Sequence, residues 1–177
     1  QTHAEEYFSS FQKLTIKKLR DLNIKMLFLH QLPMKSDTYI INRYMKHPVY
    51  RYAVYAILKD NIVQAICVIR PKFNEDSVVF SLVDFIGPNI AFPLLRNLIL
   101  FLLKEYKAEY VDLHSYGLPL DLIHKAGFIN RKEVKNLIVP GHFEPFKKKN
   151  VEIPFGYKNS LTKIPVRLFK GDGDVDR

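Results

Sequence analysis

The stretch VVFSLVDFIGPNIAFPLLRNLILFLLKEY, residues 78–106, constrains the fold more than any other part of the chain. It runs from an apolar strand through a single glycine into an apolar helix of about four turns. The next run, YVDLH at 110–114, alternates like another strand. A strand, a helix and a strand in that order make a right-handed crossover. This predicts that 77–86 and 110–114 lie parallel in one sheet, with their C-terminal ends at the same edge. That edge is the expected place for a ligand. Gly87 admits two readings: the floor of a phosphate-binding turn at a helix N-terminus, or only a corner in a buried chain.

The flanking residues complete an α/β (α+β) pattern with a mixed sheet. YAVYAIL (52–58), IVQAICVIR (62–70) and SVVFSLVDFI (77–86) predict an antiparallel meander. Its first turn falls on Lys59-Asp60-Asn61, because Asp and Asn tolerate the positive φ of tight hairpins, and its second on KFNED. Residues 10–22 read as an amphipathic helix with Phe11, Leu14 and Leu22 inward, and DTYIINRYMK (37–46) as a second helix that stops before Pro48. IKMLFLH (24–30) is too short to assign. LPLDLIHKA (118–126) predicts a helix C-capped by Gly127 with Phe128 packing back. VKNLIVP (134–140) and IPVRLF (164–169) read as closing strands of the same sheet, a C-terminal hairpin.

With 177 residues, 47% of them hydrophobic, the chain can bury one sizeable core. No apolar run reaches the roughly 18–20 residues of a membrane span, since Arg96, Asn97 and Lys104 interrupt the most apolar helix. No membrane span and a cytoplasmic location are therefore expected. Cys67 is the single cysteine and reads as a core thiol. The chain opens on Gln1 and reads as a piece of something longer, with room for an N-terminal domain ahead of it. Its net charge of +9 comes from the flanks, because residues 61–120 hold five Lys/Arg against six Asp/Glu. Such flanks attract phosphate-bearing partners, but the densest run, Lys147-Lys148-Lys149, reads as solvated surface. No aromatic-and-basic face marks a nucleic-acid binder. Asp172, Asp174 and Asp176 have calcium-loop spacing, yet Arg177 stands where that loop needs glycine, so no metal is expected and 171–177 reads as an acidic tail.

Two helices, a three-strand meander, a long helix, a parallel strand, a helix ending in Gly-Phe (HKAGF, 124–128) and a closing hairpin together resemble the GNAT superfamily of N-acetyltransferases. The resemblance covers residues 37–170, with 1–36 as an N-terminal helix and connecting segment. INRYMKHPVYRY (41–52) and FKGDGDVDR (169–177) resemble segments of acetyltransferase-like proteins from bacterial surface-polysaccharide loci. The resemblance implies acetyl-CoA as co-substrate and an amine acceptor, with an amino sugar as the candidate. Partners are thus coenzyme A and a small amine.

In that superfamily the turn after the third meander strand carries a basic or amide residue and then closely spaced small residues, whose N–H groups bind the coenzyme A pyrophosphate. Here the stretch is DFIGPNIAFP (84–93): Asp84 stands in the basic residue's place, Asn89 in that of the second small residue, and only Gly87 fits. Pro88 and Pro93 lack a donor N–H. The resemblance implies cofactor contacts from Phe85, Ile86, Gly87 and Asn89, with Arg96 as the charged side chain one turn into the helix. The superfamily's general-acid tyrosine is replaced by Ile123. The remaining catalytic candidates are Asp84, His114 and Tyr116 near the two strand ends, His114 being the side chain best suited to take a proton near neutral pH. Each has a structural alternative: Asp84 as a turn cap, His114 as a donor to a carbonyl, Tyr116 as packing. The alternative function is a non-catalytic half of a tandem protein that holds substrate or a partner.

Overall fold

The computed structural model describes residues 9–22, 24–29, 31–139, 149–150, 154–160 and 163–173. Its main sheet has five strands in spatial order β1-β2-β3-β4-β5: β1 Ser10–Lys13, β2 Ala53–Lys59, β3 Ile62–Asn74, β4 Ser77–Ile86 and β5 Tyr110–Leu113. The meander β2-β3-β4 is antiparallel as expected, and Asp60 and Asn61 both take positive φ in its first turn. β5 pairs parallel with β4, from Val79 opposite Tyr110 to Leu82 opposite Leu113. The crossover is a 3-10 helix, Asn89–Leu95, continuing into α3, Arg96–Glu105. β5 stops opposite Leu82 while β4 runs on to Ile86, so the pairing of the two strands ends before β4 does.

Two apolar layers sandwich the sheet. On one face Ile57, Cys67, Ile69, Leu82 and Phe85 pack against Phe92, Leu95, Leu98 and Leu102 of the crossover. On the other, Val54, Ile66, Val68, Val83 and Ile86 meet Leu14 and Leu19 with Ile40, Ile41 and Tyr44. These last three belong to α2, Asp37–Ile40, and the π-helical turn Ile41–Met45 that prolongs it. Each such fully buried side chain is worth about 1.5–3 kcal/mol. Cys67 lies within the first layer with its thiol pushed up by burial, an inert core position.

Three expectations are corrected. The helix expected over 10–22 begins only at Ile16 (α1, Ile16–Asp21), because Thr15 accepts a hydrogen bond from the Lys18 amide as N-cap. Residues 10–13 are instead the edge strand beside β2, with Phe11 against Tyr55 and Phe101. The stretch 134–139 forms no strand: Asn136 has φ of +65°, and the Asn150 side chain takes the Val139 N–H and the Leu137 carbonyl that a neighbouring strand would use. Closure comes from β6 (Ser115–Tyr116) and β7 (Leu168–Phe169), paired antiparallel in a separate two-stranded ladder. Between them, α4 (Leu120–Lys125) ends at Gly127 as expected. Pro140, Lys147, Lys148, Asp174 and Asp176 lie outside the described residues.

Candidate active site

The end of β4 is shaped by a bulge. Val68 pairs with Asp84 but Ile69 with Leu82, so Val83 is an extra residue in β4. Simple alternation puts Asp84 on the same side as Leu82. The bulge reverses the parity, and Asp84 turns instead toward Tyr44, on the face that also holds Val83. Asp84 is fully buried. Its carboxylate accepts from the Lys35 ammonium, from Tyr44 Oη at 2.7 Å and from the Phe85 amide at 2.8 Å. Lys35 also pairs with Asp172 at 2.9 Å. Burial by itself would lower the lysine's pKa, but Asp84 and Asp172 hold it above its ordinary value. Burial, with Asp84 close by, pushes the Asp172 carboxyl up while Lys35 pulls it back. Asp84 therefore does not project into open space, and Asp172 is no solvated tail residue. It ties the 3-10 turn Lys170–Asp172 to the sheet, accepting the Phe169 amide at 2.8 Å. Gly171 fits there because a Cβ would lie 2.2 Å from Tyr44 Oη.

The same C-terminal segment reaches the glycine turn. Arg167, 3% exposed, donates to the Gly87 carbonyl at 2.6 Å and to Asn89 Oδ1 at 2.5 Å. Burial draws its guanidinium down to about 10, still charged near neutral pH. Gly87 has φ of +150°, and a Cβ there would sit 2.8 Å from Ala65 Cβ and 2.9 Å from the Gln64 carbonyl. The turn is a corner packed against β3, with the Gly87 carbonyl and Asn89 Oδ1 both taken by Arg167. The cation nearest to it is Arg167, not Arg96. Arg96 is exposed, with Nη1 3.3 Å from the place of a Gly127 Cβ. Phe85 and Ile86 are fully buried. Sequence reasoning missed Lys35, Asp172 and Arg167, and no local signal marks them, since their partners lie 49 to 80 residues away for Asp84 and Gly87.

The end of β5 is different. Asp112 is buried with Oδ1 shielded from water and without a hydrogen-bond partner. His114, half-buried, follows β5 on the same side as Asp112. Burial pulls its pKa below the ordinary value; Asp112 opposes this, while Lys170, Lys72 and Arg131 add to it. The imidazole is therefore neutral at pH 7 and able to accept a proton. Tyr116, 42% exposed, stands two residues on. Its ring lies 5.1 Å from Phe155 and 5.5 Å from Tyr157, and its hydroxyl 3.2 Å from Tyr157 Oη. His114 and Tyr116 thus follow the end of β5 within two residues of each other, while Asp84 is taken up by Lys35, Tyr44 and the Phe85 amide. Among the described residues no group of three or more His, Cys, Asp or Glu side chains forms a metal site, and no helix is long and apolar enough to cross a membrane.

No family model matches the chain, and neither does any curated protein. Solved structures similar to it include acetyltransferases. An aminoglycoside acetyltransferase from an uncultured soil metagenomic sample, in complex with trehalose, is 12% identical with a TM-score of 0.49, over 86% of this chain and 99% of that one. Its complex with sisomicin gives 10%, 0.49, 85% and 97%. A Trypanosoma brucei acetyltransferase gives 18%, 0.46, 70% and 94%.

Proposed function

We propose that the chain is an acetyl-CoA-dependent N-acyltransferase whose acceptor is an amino sugar, as in surface-polysaccharide synthesis. The observation that carries this reading is the neutral, half-buried His114 beside buried Asp112 where the parallel strands part. Transfer of an acyl group to an amine requires the arriving ammonium to lose a proton. His114 takes it, directly or through a water, and Asp112 stabilises the imidazolium that results. Coenzyme A supplies the acyl thioester. The groups that would meet its phosphates are the backbone from Phe85 to Asn89 and the exposed Arg96, and the clamped turn makes this fit only partial. Tyr116, Phe155 and Tyr157 support a sugar acceptor, because exposed ring faces offer an apolar surface to the C–H face of a pyranose.

A second reading has its own observation. The closure of the Gly87 turn by Arg167 and Ala65 favours a domain that keeps the fold but only holds substrate or a partner. The two are separated by titrating the chain with coenzyme A and following acetyl-CoA consumption with a panel of amino sugars, free and nucleotide-linked. Under the catalytic reading His114→Gln lowers turnover by about a hundredfold or more with the fold retained. Absence of both coenzyme A binding and turnover selects the holding module, whereas turnover indifferent to His114 removes His114 from the chemistry.

A further inference from the structure

Far from the strand ends, the first part of the chain carries a surface that acetyl transfer does not use. Residues 13–25 hold Lys13, Lys17, Lys18, Arg20 and Lys25 against one carboxylate, Asp21, whereas residues 61–120 are nearly balanced. α1 buries Leu19 against the sheet. At about 100° per residue the opposite side of the helix is Lys17 and Asp21, with Lys18 and Arg20 on its flanks, and all four are exposed. The chain then turns through a 3-10 helix, Lys25–Phe28, with the Leu29 amide donating to the Met26 carbonyl at 3.4 Å. Side chains three apart in such a turn eclipse one another, so Met26 and Leu29 stand in one row. They are 63% and 54% exposed, next to exposed Lys25. Ser36 and Asp37 line one surface depression with Arg20 and Lys25, and Met34, 62% exposed, stands two residues before Ser36. A lone exposed Leu or Met needs no explanation, but three between residues 26 and 34, edged by cations, make a surface with a preference. With Asp37 counted, four cations, Lys17, Lys18, Arg20 and Lys25, stand against two carboxylates, Asp21 and Asp37.

We propose that α1 and the 3-10 turn after it form a docking ridge for an anionic membrane surface. Lys17, Lys18, Arg20 and Lys25 meet the lipid phosphates, and Met26 and Leu29 enter the boundary of the acyl chains. A nucleic acid would use the cations and leave the apolar row in water. The interface of a bilayer uses both, because long cationic stems reach the headgroups while flexible apolar side chains enter the layer beneath them. α1 belongs to the apolar layer on the face of the sheet opposite the crossover, so docking here keeps α3 away from the lipid. Such attachment is peripheral and reversible, and needs no helix that crosses the membrane. It stands independently of the acyltransferase reading.

The test sediments the full chain with vesicles of phosphatidylcholine alone, or of phosphatidylcholine and phosphatidylglycerol at about 3:1, and reads the bound fraction in about 0.1 M and 0.5 M salt. The chain binds the anionic vesicles, binds the neutral ones about tenfold more weakly or worse, and is released by the higher salt. Lys17→Glu with Lys18→Glu weakens binding by about tenfold or more, and so does Met26→Ser with Leu29→Ser. Lys104→Glu with Lys107→Glu, exposed positions at the end of α3, changes the net charge equally and leaves binding within about twofold. All six side chains are exposed, so each variant keeps the unfolding temperature of the parent chain. A chain that ignores anionic vesicles overturns the proposal. Equal loss from the Lys104 and Lys107 pair overturns it too, because the attraction is then net charge and not a surface. So does binding that depends on Lys17 and Lys18 but ignores Met26 and Leu29. Binding of a duplex RNA oligonucleotide through Lys17 and Lys18, with no binding to vesicles, assigns the cations to nucleic acid instead and overturns the proposal.

Discussion

The polar clusters at the C-terminal ends of β4 and β5 differ in how their buried groups are paired. At the β4–crossover junction Asp84 accepts from Lys35, Tyr44 and the Phe85 amide, and Arg167 takes the Gly87 carbonyl and Asn89. At the end of β5, Lys72 Nζ and Asp112 Oδ1 are out of water with no hydrogen-bond partner. The first network is largely paired, with Arg167 Nε lacking a hydrogen-bond partner and Asp172 Oδ1 met by Lys35 as an ion pair, and its charges fix chain segments to one another. An unpaired buried group bears an uncompensated desolvation cost that a ligand would relieve. Position relative to the strand ends thus does not reveal how a buried carboxylate is paired; Asp84 has three donors, and Asp112 Oδ1 has none.

The largely paired cluster is broken most severely at Lys35. Lys35→Met leaves Asp84 and Asp172 buried together without their cation, and a loss of about 3–5 kcal/mol in urea unfolding at pH 7 is expected. A loss below 1 kcal/mol would mean that the pair does not anchor the C-terminal segment. The next effect lies at the other end. Because the His114 pKa lies below its ordinary 6.5, its neutral form persists below that pH, so the acid limb of the kcat/KM profile for acetyl transfer falls under pH 6.5 and disappears in His114→Gln. Stability has the matching sign: between the depressed folded pKa and 6.5 the unfolded chain binds more protons at this residue, so this contribution weakens as the solution is acidified. A limb at or above 6.5 would detach the profile from His114. The smallest effect is at the corner. Gly87→Ala forces a methyl onto Ala65 and the Gln64 carbonyl, and about 1–3 kcal/mol of stability should be lost by thermal or urea unfolding. An unchanged unfolding midpoint would return Gly87 to the alternative of an open turn.

Much of the frame was legible because it is written in local periodicity. The alternating runs became β2, β3, β4 and β5 within a few residues of their expected bounds, and the crossover made β4 and β5 parallel. The end of β5 just before His114 was legible by the same alternation, with Tyr116 lying in β6. Asp84 was not, because one extra residue at Val83 reverses the side to which everything after it points, and a bulge leaves no mark in the hydrophobic pattern. Residues 10–13 and 134–139 fail for a related reason. Short mixed runs suit more than one state, and what decides is a partner: the free edge of β2 for the first, the Asn150 side chain for the second.

By itself, then, the sequence determined the order of strands and helices, the turn at Asp60-Asn61 and the parallel crossover, since each depends on neighbours within a few residues. Only the tertiary structure decided which charges are spent and which remain. Lys35, Arg167, Lys170 and Asp172 reach their partners across 49 to 137 residues, as Lys35 does to Asp84 and Asp172. Electrostatic pairing follows distance in space and loss of water, and neither is encoded in the spacing of residues along a chain.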